Sequence, residues 1–223
     1  MEIMVPYLKA LILVPLTLLP IINPLAGAPV FMATAGTDDR IVKRLARQVA
    51  LNCWIVLVAS MLVGTYVLEL FGISLPIVRI GGGLLVAATG WRLLNSKDDD
   101  SMRAVLAQSP GAETEAEIVR GSFFPVTFPL TTGPGSIATA IALGAQWPST
   151  PTLYVAAASV ASAGAFITAL IIYLVYRNAA RLLARLGEVG TMVMTRLLAF
   201  ILLCIGIEIM WTGWVELNQL PLR

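Results

Sequence analysis

Six long apolar segments, separated by short polar connections, make up most of the chain. They run approximately over 5–35, 48–70, 73–95, 119–146, 151–176 and 191–215. A helix that crosses a bilayer takes about 20 apolar residues, so each segment is long enough to span a membrane once. Hydrocarbon offers the backbone no hydrogen bonds, and each span must therefore satisfy its own as a helix. The pattern predicts an all-α membrane protein with six transmembrane helices.

The composition excludes the other broad classes of protein. Of 223 residues, 58% are hydrophobic and 13% are charged, and the mean hydropathy is +0.85. Soluble domains carry about 25% charged residues, so a soluble globular domain is excluded, and so is a disordered chain. Six spans use up this length, which leaves a single transmembrane domain over 1–223 and no separate soluble domain.

Few residues here are suited to catalysis, metal binding or nucleic-acid binding. The chain has no histidine, which is the commonest general acid-base group and metal ligand. Cys53 and Cys204 lie far apart in apolar segments and are expected to be buried as small hydrophobes. The net charge of +2 is not concentrated in a long basic cluster. We therefore expect no enzyme activity, no metal, no cofactor and no nucleic-acid partner.

Basic residues in the connections predict the orientation of the spans. They occur in the first, third and fifth connections, near 36–47, 96–118 and 177–190, and are absent from the connections near 71–74 and 147–150. Cytoplasmic loops carry an excess of Lys and Arg. The odd-numbered connections are therefore predicted to be cytoplasmic, with both termini on the outer side of the cytoplasmic membrane. The N-terminus lacks a basic region and a cleavage site, so we interpret it as a first span and not as a signal peptide.

The six segments divide into two sets of three, which gives the halves opposite orientations. The first repeat is predicted over about 5–95 and the second over about 119–215, joined by a cytoplasmic loop at 96–118. Spans one and four are both interrupted by proline and glycine. A shift of 105 residues aligns Pro20 with Pro125, Pro24 with Pro129, Leu25 with Leu130 and Pro29 with Pro134. This is the pattern of inverted-repeat transporters, which bind substrate at broken helices near the bilayer middle.

The two breaks are the predicted substrate site. Proline removes a backbone donor and frees carbonyls, which then need partners in protein or in a watery cavity. A half-helix that begins at such a break also directs unpaired N–H groups and a positive dipole end towards an anionic group. Kinks that serve packing alone are the alternative. The candidate substrate-binding residues are Asn23, Pro24, Gly27, Pro29, Thr131, Thr132, Gly133, Pro134, Gly135 and Ser136.

Three charged residues inside the apolar segments are further candidates. Arg79 and Arg196 lie near the starts of spans three and six and could stabilise a gate or bind a carboxylate; the alternative is that each extends to its nearest headgroup region. Glu208 is the carboxylate placed well inside a span and could carry the proton that couples transport. Its closeness to Trp211 leaves an interfacial position as the alternative.

Several runs resemble the signatures of the MarC family of bacterial and archaeal integral membrane proteins. They are Ile22 to Phe31 (INPLAGAPVF), Phe128 to Ile137 (FPLTTGPGSI), Arg79 to Leu85 (RIGGGLL) and Arg196 to Leu198 (RLL). The resemblance implies six spans in the cytoplasmic membrane. Some members are described as transporters of small neutral amino acids such as glycine and alanine, and the family is similar to the lysine-exporter group.

The leading hypothesis is a secondary transporter of small neutral amino acids that works by alternating access. The chain has no nucleotide-binding loop, so the energy source would be a proton or ion gradient. The alternative, from another class, is a membrane scaffold or sensor that transports nothing. The predicted partners are a small-molecule substrate and membrane lipid. Formation of a homo-oligomer is left open. The sequence shows no catalytic constellation that would indicate an enzyme, and no rings of charge or repeated carbonyl filters that would indicate a channel.

Overall fold

A computed structural model describes residues 4–95, 122–147 and 150–218, and the regular structure within these ranges is helical. The predicted loop 96–118 lies outside them. The elements are α1 (Met4–Ile22), α2 (Pro24–Ala35), α3 (Asp39–Leu70), α4 (Leu75–Asn95), a π-helix (Ser122–Thr131), α5 (Pro134–Gly144), α6 (Pro151–Arg177) and α7 (Ala179–Leu217).

Within the described part of the chain, four helices are long and apolar enough to cross a membrane. They are α3, α4, α6 and the part of α7 from Val189 to Leu217. Helices α1 and α2 meet at an angle of 56° and together form a fifth candidate span. The predicted fourth span is present as the π-helix followed by α5, which has 11 residues and is shorter than a full span. The all-helical prediction is confirmed, and the described residues contain four or five candidate spans; the predicted six spans, with spans one and four broken, are not confirmed as a set.

Two predicted connections are largely helical. Asp38 caps α3 by accepting a hydrogen bond from the backbone N–H of Arg40 at 2.8 Å, so the helix already begins at Asp39. The prediction of a polar connection over 36–47 therefore holds only for its first three residues. The connection predicted over 177–190 is also helical apart from breaks at Asn178 and at Gly187, whose φ of 66° bends α7. Polar composition marks these segments as lying outside hydrocarbon, but it does not prevent them from being helical.

Close helix packing is achieved where glycines face a neighbouring backbone. Helices α4 and α7 pack along much of their length. A Cβ built on Gly83 would lie 2.6 Å from the carbonyl oxygen of Gly206, and one on Gly90 would lie 2.6 Å from the backbone nitrogen of Leu203. Small residues allow this approach in lipid, where dispersion contacts hold helices together. Helix α3 packs on α5 and α6, and the indole N–H of Trp54 donates to the carbonyl of Ser162 at 3.2 Å.

Candidate functional site

The first break is centred on Asn23, between α1 and α2. Asn23 has a left-handed backbone conformation (φ 46°, ψ 61°), which asparagine tolerates better than most residues. Its side-chain Oδ1 accepts a hydrogen bond from the backbone N–H of Ala26 at 3.3 Å and caps α2. Asn23 is 8% exposed, and its Nδ2 is buried without a hydrogen-bond partner among the described residues. Pro24 supplies the first helical residue, where its missing N–H costs nothing.

The second break joins the π-helix to α5. The hydroxyl of Thr131 donates to the carbonyl of Val126 at 2.7 Å, and that of Thr132 donates to the carbonyl of Thr127 at 3.0 Å. Gly133 is extended (φ −83°, ψ 174°) and precedes Pro134, the first residue of α5. The Thr127 carbonyl also accepts the backbone N–H of Thr132 at 2.7 Å, so the threonine hydroxyl adds a second hydrogen bond to it.

Tyr176 of α6 joins the two breaks. Its hydroxyl lies 2.9 Å from Thr131 Oγ1, and a Cβ built on Gly27 would lie 2.7 Å from its Oη. Its ring stacks on Phe31 of α2, with ring centroids 4.4 Å apart and planes 7° from parallel. Tyr176, Phe31 and Thr131 are almost completely buried. The two proline-rich segments therefore meet inside the protein, around one tyrosine hydroxyl.

Helix α3 adds polar contacts on the other side of the second break. Cys53 Sγ lies 3.7 Å from Thr132 Oγ1. The Asn52 side chain donates to Thr127 Oγ1 at 3.4 Å and accepts from Gln48 Nε2 at 3.4 Å. These hydroxyls and amides face protein and are partnered, as buried polar groups normally are.

Remaining break residues are also packed or turned to the surface. Gly135 and Ser136 are buried, and the hydroxyl of Ser136 donates to the carbonyl of Gly133 at 2.8 Å. Pro29 is half-buried within α2, while Pro134 is exposed. The break residues thus form a filled junction.

A cavity of about 150 Å³ lies elsewhere, between α1, α4, α5 and α7. Its polar lining residues are Thr17, Arg79, Thr139, Gln146, Glu208 and Thr212. None of the break residues lines it, and the prediction that these residues form the substrate site stays a prediction. The cavity lies instead on the α5 face that carries Ala138, Thr139 and Ala142, beyond the first turn of the half-helix.

Arg79 and Arg196 have similar positions in the sequence but different environments in the structure. The Arg79 side chain is 12% exposed, lines the cavity and forms an ion pair with Glu216. Glu208 lines the same cavity. Arg196 is exposed and does not line it, and its predicted role in gating or carboxylate binding stays a prediction.

Comparison with known proteins identifies the family. The profile that describes MarC family integral membrane proteins matches residues 8–217. The chain belongs to this family. It is 30% identical over 219 residues to the inner membrane protein MarC of Escherichia coli (strain K12) and to that of Shigella flexneri, covering 96% of this chain and 98% of those proteins. No solved structure matches the MarC family chain described here.

Sequence reasoning missed Tyr176, Gln146 and Glu216. Tyr176 directly precedes Arg177 at the end of an apolar segment, which is the usual position of an interfacial aromatic anchor. Glu216 lies at the end of the last apolar segment and has the pattern of a solvated carboxylate. The contacts of both residues are long-range, so no local pattern predicts them.

Proposed function

We propose that this MarC family protein is a secondary transporter of small neutral amino acids such as glycine and alanine, in the inner membrane. The observation that carries the proposal is the meeting of both proline-glycine breaks at the Tyr176 hydroxyl. The breaks come from different halves of the chain, so a relative movement of the halves would separate groups that are paired at this junction. Alternating access needs a junction of this kind.

Helix packing supports two inverted halves of three spans. Helix α1 packs on α6, while the π-helix and α5 pack on α3. Helix α2 contacts α7, while α5 contacts α4. In the two halves, α1 corresponds to the π-helix, α2 to α5, α3 to α6 and α4 to α7. When the halves are exchanged, the α1–α6 contact becomes the contact of the π-helix with α3, and the α2–α7 contact becomes the α5–α4 contact. The α3–α6 and α4–α7 contacts are unchanged by the exchange. We extend this to six spans with both termini on the outer side, as the basic residues of the odd-numbered connections predict.

The chemistry of the breaks fits an uncharged or zwitterionic solute. Asn23 has a buried amide donor to spare, and the N-terminus of α5 adds the backbone N–H of Gly135, whereas the N–H of Gly27 is donated to the Asn23 carbonyl at 3.2 Å. Thr131 and Thr132 supply hydroxyls. When the halves move apart, these groups would exchange their partners within the protein for the substrate.

Glu208 is the proposed proton carrier because it is a carboxylate in a candidate span and lines the cavity. Glu208→Gln should retain exchange of substrate across the membrane at saturating substrate concentration and lose uptake driven by a pH gradient. Proton-driven uptake at the wild-type rate would remove the role.

The test of transport is counterflow of labelled glycine and L-alanine in proteoliposomes. Thr132→Val removes one buried break hydroxyl with little change of volume, and we expect counterflow to fall at least tenfold, since a good hydrogen bond to substrate contributes about 1.5 kcal/mol. Thr168→Val is the matched control, because Thr168 is equally buried and its hydroxyl donates to the carbonyl of Gly164 at 3.0 Å, within α6. Absence of counterflow in the wild-type protein would favour the alternative of a scaffold or sensor.

A further inference from the structure

We propose that the cavity between α1, α4, α5 and α7 binds the two charged groups of an amino acid, and that Glu216 occupies the place of the substrate carboxylate when the cavity is empty. This inference rests on the proposed function and goes beyond it: the amino acid would occupy this cavity in the conformation described here, and the break residues would contact it only after the halves move apart. Arg79 would bind the carboxylate of the amino acid and Glu208 its ammonium group. Glu216 would compete with the substrate carboxylate for Arg79.

The charges around the cavity have the arrangement that a zwitterion requires. Arg79 comes from α4 and Glu208 from α7, so a cation and an anion face one small volume from two helices. Helices α1 and α5 contribute hydroxyls and apolar groups to the lining, and Gln146, in the turn after α5, contributes an amide; none of these carries a charge. In an α-amino acid the ammonium and carboxylate groups are bonded to the same carbon, so one ligand can contact both side chains. Arginine suits the carboxylate because its donors form a planar fork.

Glu216 explains how Arg79 can be stable without a ligand. A guanidinium that is only 12% exposed needs an anionic partner, because an unpaired buried charge is strongly destabilising. Glu216 supplies it from the last turns of α7. The Glu216 side chain is 34% exposed, so its carboxylate can turn towards water when it is displaced. A substrate carboxylate would then replace Glu216, and Arg79 would stay paired in both states.

The volume of the cavity fits a small amino acid. About 150 Å³ is below the usual 300–1,000 Å³ range of pockets for drug-sized ligands. The apolar lining residues include Ala138, Ala142 and Ile209, which would contact a hydrogen or methyl side chain. A branched or aromatic side chain would require the helices to move apart.

The first experiment uses the wild-type protein in nanodiscs and three probes of matched size. L-alanine carries both charged groups, ethylamine carries the ammonium group alone, and propionate carries the carboxylate alone. We expect L-alanine to bind at least tenfold more tightly than either other probe, as measured by the ligand-dependent rise of the unfolding temperature. Equal affinity for L-alanine and either single-charge probe would overturn the two-point site.

The second experiment separates the three charged residues. Glu208→Gln should weaken L-alanine and ethylamine by about tenfold and leave propionate unchanged, and Arg79→Gln should weaken L-alanine and propionate. Glu216→Gln should tighten L-alanine and propionate about threefold or more, because it removes the competing carboxylate. A loss of affinity or no change in Glu216→Gln would overturn the competition, since a purely structural ion pair predicts no gain.

Matched controls are available on the same or neighbouring helices. Glu69→Gln on α3 and Arg92→Gln on α4 remove charges at exposed positions away from the cavity. Both should bind L-alanine as the wild type does, and the unfolding temperature without ligand reports whether each variant is folded. The wild-type comparison of the three probes needs no variant and keeps the inference testable if Arg79→Gln does not fold.

The same measurements distinguish this inference from the proposed function. If L-alanine binds with the predicted charge dependence but shows no counterflow in proteoliposomes, the binding site is supported and the transport function is refuted. If counterflow occurs and its half-saturating L-alanine concentration is unchanged in Glu208→Gln and Arg79→Gln, the transport function is supported and the binding site is refuted.

Discussion

The contact between Gly27 and Tyr176 can be tested by a pair of substitutions that should compensate each other. Gly27→Ala adds a methyl group whose carbon would lie 2.7 Å from Tyr176 Oη, but at 3.7 and 3.8 Å from the nearest ring carbons. The hydroxyl oxygen is thus the atom that is too close, while the ring is at normal van der Waals distance. Tyr176→Phe removes this oxygen and leaves the ring stacked on Phe31.

The expected free energies of unfolding follow from these distances. Overpacking by one methyl group costs about 1–3 kcal/mol, which is the expected loss for Gly27→Ala. Because the hydrogen of Thr131 is donated to Val126, Tyr176 is the donor to Thr131, and Tyr176→Phe should cost about 1 kcal/mol. In the double variant the new methyl group meets only ring carbons, and alanine gains about 0.5–1 kcal/mol over glycine within a helix. The double variant should therefore be at least as stable as Tyr176→Phe alone.

The assay is a double-mutant cycle on the unfolding temperature of the protein in detergent. For a chain of this size, 1 kcal/mol corresponds to about 2–4 °C, so a coupling of about 1–3 kcal/mol is measurable. Gly36→Ala serves as a control, because a Cβ there meets nothing within 4 Å and its effect should be the same in both Tyr176 backgrounds. Strictly additive losses for Gly27→Ala and Tyr176→Phe would refute the proposed contact between the first break and α6.

Two further predictions concern the α4–α7 contact and the first break. Gly83→Ala should lower the unfolding temperature by several degrees, since its Cβ would lie 2.6 Å from the Gly206 carbonyl oxygen, whereas Gly81→Ala has open space and should be neutral or slightly stabilising; equal effects would contradict the packing. Asn23→Asp keeps the oxygen that caps Ala26 N and removes the unpartnered Nδ2, but it places a carboxylate at a position that is 8% exposed, so it should lower both the unfolding temperature and the counterflow of L-alanine. Wild-type counterflow in Asn23→Asp would contradict the role of this amide as a substrate donor.

Local patterns were sufficient to predict the spans and the two breaks. Long apolar segments must be helical in lipid, so α3, α4, α6 and the main part of α7 follow from hydropathy alone. The break at Asn23 follows from a left-handed asparagine before a proline, which is a local property of the chain. The π-helix was not predicted, because backbone bonds to the carbonyl five residues earlier, such as that from Thr132 N–H to the Thr127 carbonyl at 2.7 Å, have no distinct pattern in the sequence.

The functional geometry was less predictable because it depends on contacts between distant segments. Asn23, Thr131 and Thr132 were predicted as one polar pocket from their residue types. In the structure Thr131 and Thr132 are bonded to carbonyls and to neighbouring side chains, and the cavity lies on another face of α5. Residue types show which groups can bind a solute, but the packing of α3 and α6 decides which of them are already occupied.

The different environments of Arg79 and Arg196 illustrate what an inverted repeat leaves open. Their similar positions in spans three and six predict similar roles, yet Arg79 pairs with Glu216 beside a cavity while Arg196 is exposed. Under the proposed alternating access, the two halves have related architectures but different surroundings in any one conformation. A cavity beside Arg79 and a closed junction at Tyr176 are therefore both expected. A conformation open on the opposite side would have to break the contact between Tyr176 and Thr131, because that hydroxyl joins the second break to α6. Tyr176→Phe should therefore shift the balance between the two conformations as well as the stability. The accessibility of a cysteine introduced at Ser136, which is buried at the same break and leaves Thr131 intact, to a membrane-impermeant thiol reagent would report the shift.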